Sequence, residues 1–147
     1  MFLNSKYTIF PLVLAALILG GFASSNTSMD VWYQSLSKSS LNPPGYVFGI
    51  VWPILYVLMG ISAYRTFELT KRLFFIQLIF NTGWSWLFFA FQMPVIALLN
   101  IWLLIFLNVV IVKIMYKADK FSGIIYIPYV LWLLFASYLN LFIVLNN

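Results

Sequence analysis

The chain of 147 residues contains no cysteine, no histidine and only three acids, Asp30, Glu68 and Asp119. Without cysteine there is neither a disulfide nor a thiolate metal site, and cysteine usage carries no signal about redox compartment. Without histidine the commonest haem ligand, the usual proton shuttle and most zinc or copper sites are excluded. Three isolated carboxylates, all in connections or at the ends of apolar runs, cannot form a carboxylate pair, a Ser-His-Asp arrangement or a metal triad. Charge of either sign is scarce: 7% of residues are charged, where a soluble domain has about a quarter. The net charge of +5 does not point to nucleic acid, because the basic residues flank apolar runs, where membrane orientation accounts for them. Neither a metal nor a cofactor is called for.

What the sequence has instead is apolar length: 64% of its residues are hydrophobic and 20% aromatic. A bilayer core about 30 Å thick needs roughly 20 apolar residues of helix. Five runs meet that requirement, at about 7–23, 45–64, 73–91, 95–115 and 121–145. The expected fold is therefore an all-α membrane protein. A single domain over residues 1–147 forms a bundle of five transmembrane helices, with no internal repeat. The connections are 24–44, 65–72, 92–94 and 116–120, and only the first is long enough to carry structure of its own. In it, Asp30 is placed to cap a short helix running to Leu36. Pro43-Pro44 is expected to stop that turn and to start the second span, since proline is tolerated in a first helical turn.

Lys6, Arg65, Lys71, Arg72, Lys113, Lys117 and Lys120 fall on one side of a five-span topology, and Lys38 alone on the other. This asymmetry predicts a cytoplasmic N-terminus and an outside C-terminus, in a membrane of the bacterial inner type. Lys6, the apolar run and Gly21-Phe22-Ala23 also fit a cleavable signal peptide. Retaining the first span gives the consistent charge count, so it is taken as a membrane helix.

Several residue patterns are candidates for a site. Phe48, Trp52 and Tyr56 recur every four residues and share a helix face, which suits either packing or a ligand wall. Pro53 frees the carbonyl of Gly49, and lipid offers it no partner, so the kink should face the bundle interior or a wet cavity. Gly45 and Gly49 form a GxxxG, a pattern more often tied to close helix packing than to function. In the third span Asn81, Trp84, Ser85 and Phe88 share a face, with Gln77 one turn earlier. The Asn81 amide needs partners inside hydrocarbon, supplied by a neighbouring helix or by a ligand. The fourth span offers Asn100, Trp102 and Asn108, with no reason to prefer a site there. In the fifth, Trp132, Ala136, Leu139 and Asn140 form a slowly drifting stripe, and small Ala136 beside large Trp132 makes a notch.

These residues resemble the TspO/MBR family, the tryptophan-rich sensory proteins and mitochondrial translocator proteins. The likeness runs from the first span to Asn140. It rests on Trp32-Tyr33, Leu36, Lys38, Asn42-Pro43-Pro44, Phe48-Gly49 and Val51-Trp52. It continues through Asn81, Trp84-Ser85, Phe88-Phe89, Pro128-Tyr129, Trp132, Phe135-Ala136-Ser137 and Leu139-Asn140. The resemblance implies a homodimeric five-helix bundle whose pocket opens towards the first loop. It also implies binding of porphyrins, sterols or benzodiazepine-type ligands. By position, Trp52, Asn81, Trp84, Trp132 and Ala136 would line the pocket, and Trp32, Lys38 and Pro43-Pro44 would form its lid. Phe48, Tyr56, Phe88, Leu139 and Asn140 complete the expected ligand-binding set.

Two departures bear on ligand choice. Lys38-Ser39-Ser40-Leu41 stands where relatives often have Lys-Pro-x-Trp, and no basic residue follows Asn140. The second removes the basic end of a cholesterol pattern. The function expected is binding and sensing or translocation of a protoporphyrin-type tetrapyrrole, with the porphyrin as ligand and no required cofactor. The alternative is its light- and oxygen-dependent degradation, with Trp52 and Trp132 as the catalytic pair. Coupled transport is disfavoured, because the spans carry amides rather than ionisable groups at mid-membrane.

Overall fold

The computed structural model describes residues 2–25 and 29–147, apart from the side chain of Phe2. Two 3-10 turns, Phe2–Asn4 and Lys6–Thr8, lead into α1 (Ile9–Ser24). Then come α2 (Val31–Ser35), α3 (Gly45–Arg65), α4 (Phe67–Ser85), α5 (Pro94–Ala118) and α6 (Lys120–Asn146). Five of these stretches are long and apolar enough to cross a bilayer: Lys6–Ser24, Gly45–Arg65, Phe67–Ala90, Pro94–Ala118 and Lys120–Asn146.

The helices do not pack in chain order. α1 packs against both α3 and α4, α3 against α6, α6 against α5, and α5 against α4, closing a ring. Although joined through Thr66 alone, α3 and α4 touch each other little, because α1 stands between them. The α5–α6 contact is the most extensive. It relies on Gly123, where a Cβ would lie 2.6 Å from the Tyr116 Cα. Apolar side chains cover the bundle inside and out, as expected of helices immersed in lipid. Ile50, Ile54 and Val57 of α3 and Leu99, Leu103 and Phe106 of α5 are among those facing outward.

Towards the basic end, Ile9, Met59, Ala63, Phe74, Ile111, Met115 and Tyr126 are fully buried. There Arg65 Nε donates to Asp119 Oδ2 at 2.7 Å, and Ser122 Oγ donates to the same oxygen at 2.6 Å. These two donors hold the Asp119 carboxyl below its ordinary pKa. At the opposite end, around the first loop, the side chains are aromatic and half-buried.

Three sequence expectations need correction. The third span begins at Phe67 rather than near Leu73, so Glu68, Lys71 and Arg72 belong to helix and not to a connection. One turn pairs Lys71 with Glu68 at 3.2 Å and sets the Lys71 ammonium over the Phe67 ring, which keeps these charges compatible with a helix leaving the membrane. Pro43-Pro44 does not stop the short loop helix. That helix ends at Ser35 and is followed by an irregular stretch, while Pro44 caps α3. The Gly45/Gly49 pattern meets nothing within 4 Å, so no helix of this chain packs there. The Asp30 cap is as expected: its carboxylate accepts from the Trp32 and Tyr33 amides.

At its far end α4 widens into a π turn, Trp86–Ala90, before a short link to α5. The Phe91 amide reaches the Trp86 carbonyl at 2.9 Å. In the link, Gln92 adopts φ 56°, which costs a residue with a Cβ about 1–2 kcal/mol. Gln92→Gly is therefore expected to raise stability by about 0.5–1 kcal/mol, read as a later unfolding midpoint in detergent.

Candidate ligand-binding site

The expected site residues gather at the first-loop end of the bundle in two aromatic groups that meet at Trp84. The first group joins α3 to α6. Trp132 lies edge-on to Phe48 (5.8 Å between centroids) and to Trp52 (6.2 Å), while Phe135 tilts against it at 5.4 Å. Trp52 in turn meets Tyr56 at 5.7 Å. The four-residue spacing of Phe48, Trp52 and Tyr56 thus makes one continuous face, and half-buried Pro53 follows Trp52 in the same helix.

The second group joins the loop helix α2 to the π turn. Phe88 is packed by Trp32 at 5.9 Å, Tyr33 at 6.4 Å, Trp84 at 5.6 Å and Phe89 at 4.8 Å. The π turn matters here, because its extra residue per turn brings Phe88 and Phe89 together towards the loop. Asn140 then ties the group to the frame, accepting from Trp84 Nε1 at 3.0 Å and donating to the Pro94 carbonyl at 2.9 Å. Ala136 and Leu139 are buried on α6 between Trp132 and Asn140.

Beneath the first group lies a chain of buried polar side chains. The Tyr56 hydroxyl donates to Asn81 Oδ1, and Asn81 Nδ2 donates to the Tyr129 hydroxyl at 2.7 Å. Tyr129 donates to Gln77 Oε1 at 2.7 Å, which also accepts from Asn108 Nδ2 at 3.1 Å. Asn108 Oδ1 finally accepts from Tyr126. Three phenols and three amides from four helices satisfy one another, which hydrocarbon surroundings demand. Asn81, anticipated as a site residue, is thus partnered from both sides by protein. Gln77, noted one turn before Asn81, belongs to this network as well. The parts of Asn108, Tyr126 and Tyr129 were not anticipated, because their bonds cross between helices. Asn100 and Trp102 make interhelical bonds, to the Phe80 carbonyl and to Ser137 Oγ, and Trp102 otherwise faces outward.

One polar atom at the site has no partner. Trp132 Nε1 is the sole buried side-chain nitrogen or oxygen without a hydrogen bond among the described residues. A buried, unsatisfied donor costs about 1–3 kcal/mol, which an acceptor brought by a ligand would relieve.

The residues expected to form a lid belong to the first loop and its short helix. Lys38 Nζ reaches the Leu36 carbonyl at 3.4 Å and stands 4.6 Å from the Tyr33 ring. Burial pushes the pKa of Lys38 down and that of Tyr33 up, with Asn42 opposing the latter. Pro43 is half-buried and Pro44 exposed. Ser39 bonds to the Tyr138 hydroxyl at 2.8 Å and accepts from the Leu41 amide. Ser37 and Asn147 exchange two bonds, at 2.9 and 3.0 Å. The strand of loop is thereby clasped to the end of α6. An apolar groove of about 500 Å3 between α1 and α4 lies elsewhere and includes none of the anticipated residues.

A model of the TspO/MBR family matches residues 8–145. The chain is 37% identical to the tryptophan-rich protein TspO of Archaeoglobus fulgidus, covering 92% of this chain and 94% of that one. It is 32% identical to the TspO of Chlorobaculum tepidum over 99% of each. Similarity extends to the translocator protein of Sus scrofa, 29% identical over 83% of this chain and 80% of the other.

Proposed function

The chain belongs to the TspO/MBR family of integral membrane proteins, and from that premise we propose that it binds a protoporphyrin-type tetrapyrrole between the first loop and the aromatic ends of α3, α4 and α6. The observation that carries this reading is the buried, unpartnered indole N–H of Trp132, set among Phe48 and Trp52. A flat apolar ring with hydrogen-bond acceptors matches such a wall. Aromatic contacts add about 0.5–1.5 kcal/mol per pair beyond area burial. Lys38, whose ammonium meets a backbone carbonyl and a ring among the described residues, is the cation for a propionate. With no histidine in the chain, metal-free protoporphyrin is preferred over haem. The protein works as a homodimer in an inner-type membrane with its N-terminus cytoplasmic, an orientation supported by the seven basic residues on that side.

Titrating protoporphyrin IX into purified protein in the dark should give saturable tryptophan quenching. Trp132→Phe keeps an aromatic ring but removes the donor, and should weaken binding about tenfold. Quenching that never saturates would remove the proposal, and equal affinity for haem would remove its selectivity clause.

A second reading, breakdown of the bound porphyrin under light and oxygen, is favoured by the edge contact between Trp52 and Trp132. The excited porphyrin would generate the reactive oxygen and the indoles would supply electrons. Bleaching unchanged in Trp52→Phe/Trp132→Phe would dispose of it.

A further inference from the structure

At the end of the bundle opposite the aromatic groups, a cavity of about 630 Å3 with mixed polar and apolar walls opens between the N-terminal turns, the α3–α4 junction and the α5–α6 junction. Asn4, Lys6, Arg65, Thr66, Glu68 and Asp119 bring polar groups to it. We infer that this cavity binds the phosphate of an anionic phospholipid headgroup, with Lys6, Asn4 and the open edge of Arg65 as donors. Arg65 spends Nε on Asp119 and Ser122, and its two Nη groups have no acceptor among the described residues. The Lys6 ammonium meets no carboxylate among the described residues either. It stands 4.9 Å from the Tyr64 ring and 5.7 Å from that of Tyr7, which holds the charge at the cavity's rim. The Asn4 amide likewise makes no hydrogen bond within the described structure.

The two acids of the cavity are already engaged. Asp119 accepts from Arg65 and Ser122, and Glu68 accepts from Lys71. Three donor groups without protein acceptors therefore converge on a space lined by neutralised carboxylates. That arrangement suits an oxyanion carried on a neutral or apolar body. Position selects the lipid as its source. Exposed Tyr7 and Phe10, with half-buried Tyr64, form an aromatic cluster of the kind that sits at headgroup depth. Arg72, Lys113, Lys117 and Lys120 lie near the same end and add the field that concentrates anionic lipid. The inference is independent of what the aromatic site binds, so either can fail alone.

Full-length protein reconstituted in phosphatidylcholine vesicles doped with phosphatidylglycerol, then extracted gently, should retain phosphatidylglycerol countable by native mass spectrometry. Lys6→Gln breaks no internal hydrogen bond and should lower apparent affinity about thirtyfold, the loss of a hydrogen bond between charged groups. Asn4→Leu should act in the same direction and serves if the first variant folds poorly. Lys113→Gln, basic but outside the cavity, should lose at most the roughly fivefold share of a general surface charge. Equal losses in Lys6→Gln and Lys113→Gln would reduce the effect to diffuse attraction and overturn the site. Displacement by millimolar inorganic phosphate, with dipalmitoyl and short-chain lipids no better, would assign the cavity to a soluble anion and overturn the lipid.

Discussion

Gly123→Ala is expected to cost about 3 kcal/mol, the upper end of what overpacking a well-filled core does. The added methyl group would fall 2.6 Å from the Tyr116 Cα and 2.8 Å from the Tyr116 amide nitrogen. These are backbone atoms in the last turns of α5, and no rotamer change moves them. Relief requires α6 to slide away from α5, the most extensive helix pair in the molecule. It would also strain the one-residue junction at Asp119, where the Gly123 amide bonds to the Asp119 carbonyl at 3.1 Å. Gly49→Ala supplies the contrast, because its Cβ would meet nothing within 4 Å. Helix propensity alone then favours alanine, by up to about 1 kcal/mol. Unfolding in mixed detergent, followed by tryptophan emission, should move the two variants in opposite directions. Equal midpoints would mean that the α5–α6 junction yields without cost.

The second large effect is expected at Asn81. Asn81→Leu keeps volume but leaves the Tyr56 hydroxyl without its acceptor and takes a donor from Tyr129. Each orphaned buried group costs about 1–3 kcal/mol in a dry interior. Membrane double-mutant cycles average only about 0.6 kcal/mol per bond. For two bonds in a fully buried network, a loss of about 2 kcal/mol is the expected outcome. The cycle with Tyr56→Phe separates the causes. Removing both partners should cost less than the sum of the single changes, because neither then leaves a stranded hydroxyl. On the proposed function, protoporphyrin binding should fall as well, since the Tyr56 ring braces Trp52 at 5.7 Å. Full additivity in the cycle would mean that the Tyr56–Asn81 bond carries no coupling.

How much of this was readable beforehand depended on whether a feature is local. Apolar length needs no partner to be recognised, so five spans could be counted from the sequence alone. The Asp30 cap is equally local, a side chain answering amides two and three residues on. The start of α4 was misplaced because Glu68, Lys71 and Arg72 look like a connection until their i,i+3 pairing and the Phe67 contact are seen. The π turn left no composition signal, although it decides where Phe88 and Phe89 point. The faces holding Trp52, Asn81 and Trp132 followed from helical period, but their mutual distances did not. Nor did the route from Tyr56 to Tyr126, since Gln77, Asn108 and Tyr129 sit on three different helices and periodicity describes one at a time.

The place of α1 in the ring bears on how the molecule is assembled. α3 and α4 emerge one after the other with a single residue between them, yet they end up splayed on either side of α1. Val13 of α1 faces Gly60 of α3, Gly20 of α1 faces Ser85 of α4, and the Leu19 carbonyl accepts from Trp86 Nε1 at 3.1 Å. A hairpin of adjacent helices would ordinarily close on itself during insertion. Here α1, which precedes both in the chain, occupies the place where the two would otherwise meet. A chain deprived of that helix would present Gly60, Ser85 and the Trp86 indole to lipid, with the hairpin free to collapse into a pairing the finished ring does not use.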